Sequence, residues 1–408
     1  MDSRRRTPSE RSLRTSDRID QAVLRSIARQ GVDLTSMKSA SEEAQISIGP
    51  LYARFESIDD LVAHLYERSI GAHLETLLEN LGLSIFKGDE TAKAWVAREM
   101  AKPSTESQVL VEFLAVARRY PFLGEVIRLH LTTILNDYLA SSPAPASTSF
   151  VSINIVLGYL FLLPILSKQD KELTGDLIDF MASLVLNSDC WNEPPSQATP
   201  LHAELPTIDL GPDESFMGDI VTAVIKVIAQ VGFEKATANR ISRAAGRDFA
   251  NTYHAFESKD ELMETVTSAY IPQMTALSLA PFLGIPRDQY LVRSAINGAS
   301  LAAEINRQHR QLRLESIVAA RHRRPLTLAM RREFSKSDTT LMELINQHLG
   351  GATDEQCHQA RLMWLAIRAN SIGISMLASN TSLLEPIDWV AASSALYAEL
   401  ANRGFVAT

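Results

Sequence analysis

Residues 44–57 read AQISIGPLYARFES, and residues 245–258 read AGRDFANTYHAFES. The second stretch lies over the first at a constant offset of 201 residues, and the correspondence runs without a gap from Arg18–Leu61 onto Asp219–Leu262. Of these 44 positions 14 are identical, among them Ile19 and Ile220, Ala22 and Ala223, Ile27 and Ile228, Gly31 and Gly232, Tyr52 and Tyr253, and Phe55 and Phe256. Solenoid units run to about 20–50 residues, so a period this long marks a duplicated domain. The chain of 408 residues then divides into two tandem halves, each long enough to bury its own core.

Within each repeat the apolar residues fall at helical spacing: Ile19, Ala22, Val23 and Ile27 in the first, and Ile220, Ala223, Val224, Val227 and Ile228 in the second. Each helix stops at a glycine, Gly31 or Gly232, placed as a C-cap where positive φ costs least. The hydroxyls of Thr35-Ser36 or Thr237 can then cap a short second helix, which ends near Ala44-Gln45 or Ala245-Gly246. A tight turn passes through Ser47 or Asp248, again capping residue types, into a third helix with Tyr52 and Phe55 or Tyr253 and Phe256. Three helices with a short turn before the last describe a helix-turn-helix, whose last helix can enter the major groove of DNA. No stretch alternates with period two, so the fold class is all-α. Leu110–Arg118 also resembles Leu314–Arg321 at an offset of 203, and Pro121 and Pro325 follow at 204, so the duplication extends over whole halves.

Composition narrows the function. A hydrophobic share of 46% suits a globular chain. The richest apolar run, Ile153–Leu166, is broken by Asn154, Gly158 and Pro164, which argues against a membrane span. A polar, Arg-rich N-terminus with no apolar stretch behind it argues against a secretory signal and for a cytoplasmic protein. Cys190 and Cys357 stand alone, which indicates neither a disulfide framework nor a zinc site. The net charge of −8 is unevenly spread: Arg4, Arg5, Arg6, Arg11, Arg14 and Arg18 make the N-terminus basic, whereas Asp213, Glu214 and Asp219 precede the second repeat. The segment from Asn192 to Phe216 holds Pro194, Pro195, Pro200, Pro206 and Pro212 and cannot propagate a helix. The expected organisation is therefore a basic flexible arm at 1–17, a helix-turn-helix domain at 18–65, a helical regulatory domain at 66–191, a linker at 192–216, a second helix-turn-helix domain at 217–266 and a second regulatory domain at 267–408.

In both copies the turn and third helix resemble the TetR family of bacterial transcriptional regulators, through Ala44, Tyr52, Phe55, Glu56 and Ser57 and through Ala245, Gly246, Tyr253, Phe256, Glu257, Ser258, Lys259, Asp260 and Leu262. The resemblance covers roughly 50 residues per half. It implies that Ser47, Ile48, Gly49, Pro50, Leu51 and Tyr52 face double-stranded DNA, with Ser36 and Lys38 on the supporting helix and Arg54 near the backbone. The corresponding second set is Thr237, Arg247, Asn251, Tyr253, His254 and Lys259. Small residues at Gly49 and Pro50 allow close approach to the duplex, while Ile48 and Leu51 have no hydrogen bonds to offer and suit a thymine methyl or groove shape. The family's role implies a ligand-responsive repressor with a small-molecule effector. Its usual homodimer would here be an intrachain pseudo-dimer or a dimer of chains, and unlike recognition helices would read an asymmetric operator.

Each copy departs from the pattern. The first has Gln45 where the turn usually holds glycine, which costs about 1 kcal/mol if φ is positive, and Ile58 where the family has a phosphate-facing lysine. The second places Arg247 at an apolar plug position and Asp248 at the groove mouth, so the alternative is a ligand- or protein-binding scaffold that has lost DNA binding. Arg321, His322, Arg323, Arg324, Arg331 and Arg332 read as solvated helix ends around Pro325, and Trp95, Asn154, Tyr159, Trp364 and Asn370 as core residues or pocket walls. No HExxH, P-loop, GxGxxG or GxSxG pattern is present, so the expectation is no enzyme and no cofactor.

Overall fold

A computed structural model describes residues 10–186, 216–246, 258–279 and 287–403, and all regular structure among them is helical. The first helix, α1 (Glu10–Gln30), buries Ile19, Ala22, Val23 and Ile27 and is closed by Gly31 at φ +86°. It is followed by α2 (Met37–Glu43), α3 (Gly49–Tyr52) and α4 (Ile58–Leu65). A π turn at Tyr66–Ile70 leads into α5 (Gly71–Lys87). Next come α6 (Glu90–Ala101), α7 (Thr105–Val116), α8 (Pro121–Ser141), α9 (Ala146–Leu162), α10 (Lys168–Glu172) and α11 (Thr174–Leu186).

The second series opens with α12 (Phe216–Val231), ended by Gly232 at φ +80°, and α13 (Ala238–Ala245). Then follow α14 (Lys259–Leu279), α15 (Arg287–Ala302), α16 (Arg307–His322), α17 (Arg324–Leu349), α18 (Asp354–Ala378) and α19 (Trp389–Asn402). Pro121 and Pro325 each sit in the first turn of a helix, α8 and α17, where the missing N–H leaves no bond unmade. α1 lies on α7, α12 lies on α16, and α7 touches α16.

Two expectations about the ends of these segments change. The stretch expected as a loose arm, 1–17, is helical from Glu10. Ser16 accepts hydrogen bonds from Arg54 and Arg68, and Asp17 pairs with Arg68, which ties this part of α1 to the rest of the first series. The proline-rich linker expected at 192–216 lies outside the described residues except for Phe216, which opens α12.

The most extensive pairing of helices in the fold is α9 against α18. Every residue of α9 from Ser147 to Leu162 is buried, as befits a helix that is apolar nearly all round. A Cβ on Gly158 would collide with the carbonyl oxygen of Ala369, and one on Gly373 with the carbonyl oxygen of Asn154. Because neither glycine has a side chain, the two backbones touch. The contact is also reciprocal: 158 meets 369 as 373 meets 154. Around it one continuous cluster of buried apolar residues extends from Ile19 to Tyr397, so both series share a single core.

Adding even one methyl at this crossing should push the helices apart. Gly158→Ala and Gly373→Ala are each expected to lower unfolding free energy by about 1–3 kcal/mol in urea titrations. Gly175→Ala, where no heavy atom lies within 4 Å of the added Cβ, serves as the control and should show no loss. Equal behaviour of all three variants would mean that the crossing is not tight.

Candidate nucleic-acid interface

Side chains at the entrance to α2 make its start unambiguous. Ser36 is extended at φ −125°, its hydroxyl accepts from Ser39 N, and the Ser39 hydroxyl closes a reciprocal capping box. Thr35, beside it, donates instead to the Gly31 carbonyl at 2.8 Å. At the far end Gln45 takes φ +54°, and Ile46 N returns to the Ser41 carbonyl at 3.0 Å. Gln45 is the non-glycine residue with positive φ among the described residues, at the position where the sequence lacks its expected glycine.

The turn delivers α3 with an outward face. Ser36, Lys38, Ser47, Ile48, Gly49, Pro50, Tyr52 and Arg54 are all exposed, and Tyr52 retains 57% of its accessible surface. An added Cβ on Gly49 would meet nothing within 4 Å. Leu51 departs from its expected role: it is fully buried and anchors α3 to the core, since helical residues advance by about 100° each and one side of so short a helix rests on the domain. Ser47 does not cap α3 either, since the cap position is Ile48 and no side chain bonds there. Arg54 is held against α1, donating to Ser16 at 2.7 Å.

The second repeat is partly described. Thr237 caps α13 by accepting from Arg240 N, and Gly246 ends that helix at φ +63°. Arg247, Asn251, Tyr253 and His254 lie outside the described residues. Lys259, expected to face phosphate, turns inward. It donates to the Glu234 carbonyl at 3.0 Å and stands 4.2 Å over the Phe233 ring, and burial holds its pKa below the usual lysine range. Arg323 supports the same turn through Glu234 at 2.8 Å and Asp260 at 3.2 Å. Lys259 is thus a brace between α14 and the turn after α12.

Both helix-turn-helix segments are wired into a charged crossover between α7 and α16. Asp33, in the turn after α1, accepts two hydrogen bonds from Arg119, at 2.6 and 2.8 Å, and one from Tyr120 at 2.6 Å. Burial alone would raise the Asp33 carboxyl, but the bonds and charge of Arg119 keep it below its usual range. The Nε of Arg119 donates to Glu315 on α16, also at 2.6 Å. One guanidinium therefore serves two buried carboxylates. Glu315 is undercompensated, and burial pushes it up to about 7 against the pull of Arg119.

The same contact recurs with the partners exchanged. Glu112 on α7 meets His322 at 3.0 Å and accepts from Val32 N at 3.3 Å. Arg119 follows Glu112 by seven residues, as His322 follows Glu315. A shift of α16 against α7 must therefore pull on the Val32–Asp33 turn that carries α2 and α3.

The arginines expected as solvated helix ends are in part the fasteners of this crossover. Arg321 donates to the carbonyls of Leu160, Phe161 and Gln108, and Arg331 to those of Pro164 and Ile165. Carbonyls at the end of a helix lack intrahelical partners and attract cations. Arg332, paired with Glu264 and half exposed, fits the original expectation. Tyr159 is core, bonded to Thr174 at 2.6 Å, and Asn154 lies at the crossing itself. A signal for this hub was present in the sequence: Glu112 and Glu315 each interrupt an apolar run at the same place in the two halves.

Among the described residues no cluster of His, Cys, Asp or Glu could hold a metal ion, and no helix is long and apolar enough to cross a membrane. Residues 220–266 match the model of the family described as bacterial regulatory proteins, tetR family. The matched span runs from α12 into α14 and coincides with the second of the two repeated segments. It supports a TetR-like helix-turn-helix and, in general terms, a DNA-binding regulator. No curated protein matches the chain.

Two outcomes follow from this geometry. Gln45→Gly relieves a left-handed side-chain residue and should stabilise the chain by about 1 kcal/mol in urea titrations; no gain would mean that the strain is absent. Glu315 binds its proton more firmly in the folded chain than at its ordinary 4.5, up to about 7. Its contribution to stability therefore falls as pH rises through that window. Glu315→Gln does not titrate, so its melting temperature relative to wild type should climb from below pH 4.5 to above pH 7. A difference that stays flat over this range would contradict the shift.

Proposed function

We propose that this chain is a ligand-responsive transcriptional repressor of TetR type whose two halves form a pseudo-dimer and read an asymmetric operator. The observation that carries the proposal is the reciprocity of the internal contacts. Gly158 against Ala369 is answered by Gly373 against Asn154, and Arg119 with Glu315 by His322 with Glu112. Contacts in which i meets j and j meets i are those of a two-fold interface, here contained in one chain.

In this scheme Ser36, Lys38, Ser47, Ile48, Gly49, Pro50, Tyr52 and Arg54 form the first reading head. Thr237, Arg247, Asn251, Tyr253 and His254 form the second. Leu51 and Lys259 leave the list because both are committed to the interior. Two-fold-related recognition helices address successive major grooves about 34 Å apart, and the unlike heads select unlike half-sites. An effector that favours another spacing of the heads shifts the population off DNA.

A second reading is favoured by Lys259. With its ammonium held on Glu234 and Phe233, the second head lacks a phosphate anchor and serves as a structural partner for the first.

Fluorescence anisotropy with DNA from upstream of the gene, at two salt concentrations, tests the proposal. Wild type should bind with a steep salt dependence. Tyr52→Ala and Tyr253→Ala should each weaken binding about five- to tenfold, the loss of one phosphate or base-edge hydrogen bond. Loss with Tyr52→Ala alone supports the second reading. Light scattering of the DNA-free protein should give the mass of one 45.0 kDa chain; a dimer of chains would refute the strict single-chain form.

A further inference from the structure

The second series contains a cavity whose two arginines have no counterpart at the corresponding positions of the first. It lies between α14, α16, α17 and α18 and is narrow, with about 60 Å³ of free space. Such a volume is room for a few waters or one short-chain molecule. Its walls are mainly apolar, formed by Ile271, Ile317, Met330, Phe334, Trp364 and Ile372. Two guanidinium groups, those of Arg313 and Arg368, also reach it.

The two arginines are not equivalent. Arg368 pairs with Asp338 at 2.6 Å and stacks on Phe334 at 4.3 Å, so its charge is answered. Arg313 donates only to Ser371, to the hydroxyl at 2.6 Å and the carbonyl at 3.3 Å, and pairs with no carboxylate among the described residues. A guanidinium has five N–H donors, and Ser371 occupies two of its nitrogens. Burial, with Arg368 adding a like charge, holds Arg313 below the usual arginine range. A desolvated cation without a counter-charge is costly to keep and attracts an anion more strongly than it would in water.

The first series is apolar at the same places. The offset of 203 that pairs Glu112 with Glu315 sets Leu110 against Arg313, and the reciprocal glycine contact sets Ile153 and Val156 against Arg368 and Ser371. Leu110, Ile153 and Val156 are all buried core residues. Charge has entered one half only.

We infer that the cavity bounded by Arg313, Ser371, Phe334 and Trp364 is the effector site, and that it takes an organic monocarboxylate with an apolar body. The planar fork of Arg313 matches a carboxylate through two parallel bonds. One uncompensated cation sets the ligand charge at one, since a dianion would leave a charge buried without a partner. The apolar walls supply the rest of the binding surface. Arg313 lies two residues from Glu315 on α16, the helix whose position sets the Arg119–Asp33 link to the first reading head. The inference rests on the ligand-responsive function proposed above and adds the ligand class and the half that binds it.

Isothermal titration of the full chain without DNA tests it, using straight-chain carboxylates of graded length and the primary alcohols of matching length. At the best length the carboxylate should bind at least tenfold tighter than its alcohol. Arg313→Leu, which places at 313 the residue that the first half carries at 110, should remove that preference while keeping alcohol binding, and Arg313→Lys should retain part of it. Retained alcohol binding shows that the cavity is intact. Failure of every length to bind, equal binding of acid and alcohol, or an unchanged preference in Arg313→Leu would each overturn the inference. Since no DNA is present, these outcomes are separate from those of the operator-binding experiment.

Discussion

The backbone contact between α9 and α18 is the constraint from which the other distances in the fold follow. Two helices can approach this closely only where side chains are missing, and the glycines at 158 and 373 face the carbonyls of Ala369 and Asn154 across the contact. With the crossing fixed, α7 is brought against α16, and the carboxylates of Glu112 and Glu315 come within reach of His322 at the end of α16 and of Arg119 in the turn after α7. The apolar core that forms around the crossing supplies most of the favourable free energy. The charges select the register.

Charged groups placed in that interior have consequences for motion as well as stability. A buried ion pair adds little net stability compared with apolar residues of similar volume, but breaking it leaves an uncompensated charge. Arg119, shared between Asp33 and Glu315, makes the turn after α1 sensitive to the position of α16. The turn after α12 is held in a comparable way, through Glu234, Arg323 and Lys259. Each helix-turn-helix segment is therefore clamped at its first turn, while α3 of the first segment stands clear of the core apart from Leu51. This division suits a rigid head on a movable support.

The two helix series differ at corresponding positions. Leu110, Ile153 and Val156 close the core of the first half, whereas Arg313, Arg368 and Ser371 surround a cavity in the second. A pair of separate identical chains cannot specialise in this way, because every substitution appears in both. Within one chain, corresponding positions are free to differ.

Much of this was legible in the sequence because it depends on local chemistry. The glycines at 31, 232 and 246, the hydroxyl caps at Ser36 and Thr237 and the apolar spacing of α1 and α12 determined the all-α class and the opening two helices of each repeated segment, since caps and periodicity act within a few residues of chain. Gln45 stood out in the sequence as the residue at the usual glycine position of the turn, and the structure gives it the left-handed φ. The inward turn of Leu51 and Lys259, the role of Arg321 and Arg331 as fasteners, and the uncompensated charge of Arg313 were decided only by the tertiary structure. An isolated arginine or lysine has the same appearance in a sequence whether it faces water, a helix end or a cavity. The difference lies in which distant carbonyls and carboxylates the fold brings within about 3 Å of it.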